Sequence, residues 1–186
     1  MRISFAISLL CLLFTTAHAQ KKLSVTSPDG QVRLNVSLSD KVYYDVESHG
    51  ETLVKNGHLG MTLDKANLGA NPVLKGKKVK TANETFTPIF SLTSANIDNR
   101  YTSLLMNVKG GDAIEWRVYD DGLAYRFVTS IKGDVKVLSE DFCIQLTQDT
   151  RLVLQQPGGF KTSCEEEYTN VQSAAWKAED RMSELP

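Results

Sequence analysis

Two alternating runs of apolar residues flank an Asp-Asp-Gly step in the middle of the chain, and this stretch constrains the fold more than any other. It spans Ala113 to Thr129 and reads A-I-E-W-R-V-Y-D-D-G-L-A-Y-R-F-V-T. Period-two alternation on both sides of an Asp-Gly step is the pattern of a β-hairpin, in which we expect Gly122 to adopt a positive φ. One face of this hairpin carries Ile114, Trp116, Val118, Leu123, Tyr125 and Phe127, and the other carries Glu115, Arg117, Ala124 and Arg126. We expect the first face, with its aromatic rings, to belong to a core.

Short alternating runs with turn signals between them recur along most of the chain. Ser27–Gly30 reads S-P-D-G, a sequence typical of a turn, and the lysine-rich run Leu74–Lys80 is typical of an edge strand. Many short strands at roughly ten-residue spacing predict a mostly antiparallel sandwich or barrel. The predicted strands are 23–27, 32–38, 42–46, 53–63, 74–80, 86–92, 101–108, 135–138, 142–146 and 151–155, in addition to the central hairpin.

Size and charge exclude some classes of function. The chain has 186 residues, of which 41% are hydrophobic, so it can form one domain with a core. Its 21 Lys+Arg and 22 Asp+Glu give a formal charge of -1. Because no basic field exists to attract phosphates, we expect no nucleic-acid partner.

The first nineteen residues have the pattern of a secretory signal peptide. Arg2 precedes the apolar run Ile3–Phe14, and an A-H-A sequence ends at Ala19, where we expect cleavage. The run is too short to span a bilayer, so we predict no membrane span. The protein is therefore expected to be exported to the periplasm, with outer-membrane association or release to the medium left open. Cys143 and Cys164 remain after cleavage, and sequence leaves open whether they pair or stay as thiols.

Histidine offers little chemistry here, whereas carboxylates and one tryptophan offer more. His49 and His58 lie in polar or glycine-flanked surroundings and are expected to have surface roles. An acidic run, Glu165–Glu167, follows the last predicted strand, where carboxylates could converge on a cation or a sugar. Trp176 is the candidate for stacking on a sugar. It lies within Val171–Leu185, the one stretch with helix-forming composition.

Four motifs in order give the chain a resemblance to a known family. They are T-S-P-D-G at Thr26–Gly30, W-R-V-Y-D-D-G-L-A-Y-R-F at Trp116–Phe127, Q-P-G-G-F at Gln156–Phe160 and E-x-x-Y-T at Glu165–Thr169. Together with the signal peptide, they resemble the amino-terminal domain of glycoside hydrolase family 97. That resemblance implies an all-β, antiparallel β-super-sandwich of the sugar-mutarotase-like kind over residues 20–170. A short helical or irregular segment, 171–186, would then link it to a (β/α)₈ catalytic barrel outside this chain.

The resemblance also implies an activity for the parent enzyme. Members of the family are exported α-glucosidases and α-galactosidases that cleave α-linked oligosaccharides with the help of Ca²⁺, and their catalytic residues lie on the barrel. We therefore expect no catalytic residue in this chain and no glycosidase activity from it alone. Whether the parent acts on α-glucosides or α-galactosides, by inversion or by retention, is left open.

One site of the family falls within this chain. The family's amino-terminal domain lends a glutamate to the calcium site, and the matching residue here is Glu165, in register with Tyr168-Thr169. The chain has one residue more before Tyr168 than the family pattern, so Glu166 is the alternative ligand. We also keep two other functions open: a free-standing carbohydrate-binding or adhesin-like sandwich that uses Trp176 or an exposed sheet face, and a remnant without activity.

Overall fold

The structure is a computed structural model, and it describes residues 21–90, 94–146, 149–156 and 166–176. Strands make up nearly all of its regular structure, and a 3-10 helix at Ser173–Ala175 is the one helical turn in the described part of the chain. No described helix has the length and apolar character that crossing a membrane requires. The strands are β1 (Lys21–Thr26), β2 (Val32–Leu38), β3 (Val42–Ser48), β4 (Glu51–Leu63), β5 (Asn67–Leu68), β6 (Leu74–Phe86), β7 (Ile97–Val108), β8 (Ala113–Tyr119), β9 (Leu123–Val128), β10 (Val137–Cys143), β11 (Arg151–Gln155) and β12 (Tyr168–Gln172).

Three antiparallel sheets form from these strands. The first has the order β1-β2-β3-β4-β10, with β5 also paired to β4, and the second has the order β6-β7-β8-β9. The hairpin β11-β12 forms a separate two-stranded sheet. Neighbours in sequence are neighbours in both large sheets except at β4-β10, so each sheet is largely a meander. The predicted all-β antiparallel sandwich is confirmed.

The core lies between the two large sheets, and alternation along each strand explains its membership. Every second residue of β2 is buried, from Val32 to Leu38, and the same holds for much of β8. Trp116 is fully buried, which confirms that the hairpin's aromatic face belongs to the core. The other buried members of this cluster are Leu23, Val25, Val32, Leu34, Val36, Leu38, Val42, Tyr44, Val46, Leu59, Leu104, Met106, Ile114 and Val118.

The central hairpin forms as predicted, but the expectation that Gly122 adopts a positive φ is wrong. β8 and β9 pair with Trp116 opposite Tyr125 and Val118 opposite Leu123, so both runs present their apolar residues to the same face. The turn is closed by the Tyr119 N–H, which donates to the Gly122 carbonyl at 2.8 Å. Gly122 is not among the residues with positive φ, so this turn does not need the conformational freedom of glycine.

Several predicted strand boundaries are also wrong, because pairing between segments distant in sequence determines where these strands begin and end. The predicted strands 135–138 and 142–146 are replaced by one strand, β10, which pairs along β4 from Leu63 to His58. The predicted strand 86–92 does not form over Thr87–Phe90, since β6 ends at Phe86. Val171 is in strand β12 rather than in a helix, because it pairs with Leu152.

Turns at one end of the sandwich are joined by hydrogen bonds between the sheets. Ser27 and Asp29 form the predicted turn, in which the Gly30 N–H donates to the Ser27 carbonyl at 3.0 Å. Asp120, in the β8-β9 turn, accepts the Asp29 N–H at 2.9 Å and also pairs with Arg100 of β7. The turn aspartates therefore connect the first sheet to the second.

Candidate functional site

The predicted calcium loop connects β11 to β12, and the register of these strands fixes its ends. Gln155 lies opposite Tyr168, so residues 156–167 form the connection. Glu165, the predicted ligand, lies outside the described residues. Glu166 and Glu167 are described and exposed. The Tyr168-Thr169 step of the motif therefore begins the returning strand, directly after the acidic run.

Side-chain hydrogen bonds hold the base of this loop. The Gln155 side-chain amide donates to the Glu166 carbonyl at 2.7 Å, and the Thr169 hydroxyl donates to the Leu154 carbonyl at 3.2 Å. The first bond joins the end of β11 to the connecting loop, and the second joins β12 to β11. They hold the backbone beside the acidic run, and neither bond involves the carboxylate of Glu166.

The donor chemistry of the acidic run fits Ca²⁺, which takes six to eight oxygen ligands and favours carboxylates. However, the described residues contain no group of three or more His, Cys, Asp or Glu side chains placed to hold a metal ion. One or two carboxylates from this loop could thus form only part of a coordination shell. The remaining ligands would have to come from elsewhere.

A cluster of polar side chains on the outer face of the first sheet joins β3, β4 and β10. The Lys41 ammonium lies 2.7 Å from one carboxylate oxygen of Asp141, and His58 Nε2 lies 3.2 Å from the other. The ring of Tyr43 packs edge-on against His58, with centroids 6.0 Å apart. The hydrogen bond from Lys41, followed by the charges of His58 and Lys41, lowers the pKa of Asp141 below its usual value.

Sequence reasoning missed this cluster, because His58 and Asp141 are 83 residues apart and no local pattern joins them. The surface role expected for the histidines agrees with the contacts observed. His49 lies in the β3-β4 turn with its Nδ1 2.9 Å from the Ser48 hydroxyl. Cys143 is half-buried opposite His58 in the ladder, while Cys164, its predicted possible partner, lies outside the described residues.

A hollow of about 860 Å³ lies on the same sheet, and we call it the polar hollow because most of its lining residues are polar. One wall is a β-bulge at which Asn56 has φ of +55° and its N–H donates to the Asp45 carboxylate at 2.6 Å. β-Bulges redirect side chains and are frequent beside binding sites. The polar residues of its lining are Lys22, Ser24, Asn35, Ser37, Asp45, Lys55, Asn56 and Gln145, and the apolar ones are Leu23, Val36 and Leu146.

Trp176, the predicted sugar-stacking residue, follows the 3-10 helix and is half-buried. Its backbone N–H donates to the Ser173 carbonyl at 3.2 Å. The polar hollow is not lined by Trp176, so the structure does not bring these two candidate sugar-binding features together.

Comparison with known proteins places the chain in a family. Residues 25–186 match the family described as Glycosyl-hydrolase 97 N-terminal. The chain is 34% identical over 139 residues to a retaining alpha-galactosidase of Bacteroides thetaiotaomicron, an alignment that covers 73% of this chain and 21% of that protein. The chain thus spans about a fifth of the length of this relative.

Solved structures share the fold. A beta-arabinopyranosidase superimposes with a TM-score of 0.70 at 24% identity, covering 80% of this chain and 26% of that one. A glycoside hydrolase family 97 enzyme from Pseudoalteromonas sp. strain K8, in complex with acarbose, gives 0.68 at 14% identity, covering 81% and 24%. With the family match over residues 25–186, we conclude that the chain belongs to the glycosyl hydrolase 97 N-terminal family.

Proposed function

We propose that this chain is the non-catalytic N-terminal domain of an exported, calcium-dependent α-glycosidase that acts on α-linked oligosaccharides. In that enzyme the sandwich packs against a (β/α)₈ catalytic barrel and lends a carboxylate to the calcium site. The observation that carries this proposal is the 34% identity to a retaining alpha-galactosidase. An apolar segment ending in A-H-A at residues 17–19 supports export to the periplasm.

Glu165 is the proposed calcium ligand, and Glu166 is the alternative. The register of β11 and β12 supports a ligand from this run, because the run ends directly before Tyr168, the first residue of β12. A bound Ca²⁺ would supply positive charge able to polarise a sugar oxygen. The chain's own part is to position a carboxylate at the domain boundary, held by the Gln155–Glu166 hydrogen bond.

A chimeric enzyme tests the proposal. Residues 21–186 of this chain replace the matched segment of the retaining alpha-galactosidase, and hydrolysis of an aryl α-galactoside is followed as Ca²⁺ is titrated after chelation. We expect Glu165→Gln to raise the calcium concentration for half-maximal activity about tenfold or more, because the variant loses at least one charged ligand contact. Glu167→Gln is the matched control and should leave that concentration unchanged.

The other outcomes decide between the alternatives. If Glu166→Gln raises the calcium concentration for half-maximal activity and Glu165→Gln does not, the ligand is Glu166. A folded chimera that hydrolyses nothing, with or without Ca²⁺, would count against the proposal that this domain serves a glycosidase of this kind.

A free-standing carbohydrate-binding module is the second candidate, and the polar hollow favours it. Amide, hydroxyl, lysine and carboxylate groups from the four strands β1 to β4 line that hollow, which is the type of lining that recognises sugar hydroxyls. The module would bind sugar without any barrel. Titration calorimetry of residues 20–186 with maltose and with α-galactosides tests it, and the absence of heat for both would reject it.

A further inference from the structure

The outer face of the second sheet carries a regular array of basic and aromatic side chains. Trp116 and Leu104 point into the core, so the residues next to them along β8 and β7 point outward. The register aligns these outward residues in three rows across the sheet, and we call this surface the arginine face. The rows are Lys78-Leu105-Glu115-Arg126, Lys80-Ser103-Arg117-Ala124 and Ala82-Tyr101-Tyr119.

The arginine face is basic, which the net charge of the chain does not reveal. Its four cationic side chains minus its one carboxylate leave a local charge of +3, whereas the whole chain has a formal charge of -1. Lys78 and Lys80 are exposed, and the Arg126 side chain is 63% accessible. From the spacing of strands and of alternate residues, the four cations extend over roughly 14 by 7 Å. A local field of this sign attracts anions.

Glu115 holds the two arginines of this face in place. Its side chain is 13% accessible, and each arginine donates to a different oxygen of its carboxylate. Arg117 Nε lies 3.3 Å from Oε1, and Arg126 Nε lies 2.5 Å from Oε2. A guanidinium has five N–H donors, so these bonds orient both arginines while other donors remain for a ligand.

Two tyrosines form an aromatic platform at one end of the arginine face. The rings of Tyr101 and Tyr119 have centroids 5.3 Å apart, and the Arg117 guanidinium lies 4.6 Å from the Tyr101 centroid. A phenol ring offers an apolar surface to the C–H side of a sugar and a hydroxyl to its oxygens. A guanidinium binds a carboxylate through two parallel hydrogen bonds. Rings beside cations therefore fit a sugar that carries a carboxylate.

We propose that the arginine face binds an acidic polysaccharide, a chain of uronate sugars. The cations receive successive carboxylates, and the tyrosine platform contacts the sugar rings. A repeated charge suits this face, because a small anion with one charge would reach only one or two of the cations. A membrane surface fits less well, since Leu105 is the one large aliphatic side chain in the three rows and it is half-buried. This binding goes beyond the proposed function and does not depend on it.

Titration calorimetry of the mature chain, residues 20–186, with a galacturonate oligomer in chelating buffer tests the proposal. The fully methyl-esterified form of the same oligomer is the matched neutral ligand. We expect the acid to bind about tenfold or more tightly than the ester, because the ester loses every charge-assisted contact. Added NaCl should weaken the binding of the acid, since salt screens exposed charges.

Variants locate the binding on the arginine face. Arg126→Gln should weaken the binding of the acid about two- to fivefold, and Tyr101→Leu about two- to tenfold. Lys22→Gln is the matched control, because Lys22 is an exposed lysine on the first sheet, and it should leave the affinity unchanged. Urea unfolding midpoints close to that of the parent would show that each variant is folded.

Four results would overturn the proposal. The first is no heat with the acid, and the second is equal affinity for the acid and the ester. Weaker binding in Lys22→Gln but not in Arg126→Gln would instead place the acidic sugar in the polar hollow. Tighter binding to an oligodeoxythymidylate of equal charge would assign the arginine face to nucleic acid.

This proposal and the proposed function can fail separately, because the calorimetry contains neither a catalytic barrel nor Ca²⁺. A chimera that hydrolyses its substrate, together with a mature chain that binds no acidic sugar, would leave the glycosidase standing and reject the arginine face as a binding site. Binding of the acid by the mature chain, with a chimera that hydrolyses nothing, would support the arginine face and count against the glycosidase.

Discussion

Replacing Trp116 should reveal how much of the fold depends on the packing at the middle of the sandwich. The side chain is fully buried between the sheets, with the rings of Tyr44 and Tyr125 against it. Burying a tryptophan removes about 150–250 Å² from water, which at about 25 cal/mol/Å² is worth roughly 4–6 kcal/mol. Trp116→Ala should therefore lower the free energy of unfolding by about 3–5 kcal/mol, as large-to-small core changes do.

Trp116→Phe separates packing from hydrogen bonding. The Trp116 indole N–H is buried and has no acceptor among the described residues. Phenylalanine loses the apolar surface of about one or two CH₂ groups, roughly 1–2 kcal/mol, but it also removes an unpaired donor whose burial costs about 1–3 kcal/mol. The two terms offset each other, so Trp116→Phe should unfold within about 1 kcal/mol of the parent protein.

Urea unfolding of the mature chain, followed by far-ultraviolet circular dichroism, measures the free energy of unfolding of both variants without relying on tryptophan fluorescence. Equal m-values would show that the same surface is exposed in each variant. The thermal midpoint of Trp116→Ala should fall by roughly 6–20 °C for a chain of this size. The reasoning is refuted if Trp116→Ala costs less than about 1 kcal/mol, or if Trp116→Phe costs as much as Trp116→Ala.

Two further predictions concern a surface carboxylate and two glycines. Because Lys41 lowers the pKa of Asp141, the pair stabilises the fold above the carboxyl's ordinary pKa and stops doing so as pH falls through the lowered value. The stability difference between the parent and Asp141→Asn should therefore shrink in an acid denaturation series as the pH falls below the carboxyl's ordinary pKa, and vanish once the pH is below the lowered pKa. A Cβ on Gly57 would lie 2.6 Å from the Tyr44 ring, whereas one on Gly122 meets nothing within 4 Å. Gly57→Ala should cost about 1–3 kcal/mol and Gly122→Ala less than about 0.5 kcal/mol in urea unfolding.

Local patterns predicted those parts of the fold that depend on local chemistry. Alternation assigned both faces of the central hairpin, because each side chain's direction follows from its place along a strand. The lysine-rich run was correctly placed at a sheet edge, since among the described strands β6 has one neighbour, β7. The turn at Ser27–Gly30 formed where proline and glycine stand in favoured positions.

Long-range pairing could not be predicted in the same way. β10 contains the run S-E-D-F, which does not alternate, and it becomes a strand because β4 offers a free edge. β12 has only Tyr168 and Val171 as large apolar residues, and it forms by pairing with β11. The calcium prediction came from a motif at Glu165 and stays a prediction, since that residue lies outside the described part of the chain.

The β4-β10 pairing has a consequence for the order in which the first sheet forms. β1 to β4 pair as consecutive hairpins, whereas His58 of β4 meets Asp141 of β10 across 83 residues. Non-local strand pairs close slowly, because the intervening chain must be ordered first. We therefore expect β10 to join the sheet late in folding, and until it does the β4 edge from His58 to Leu63 is open to pairing with other strands.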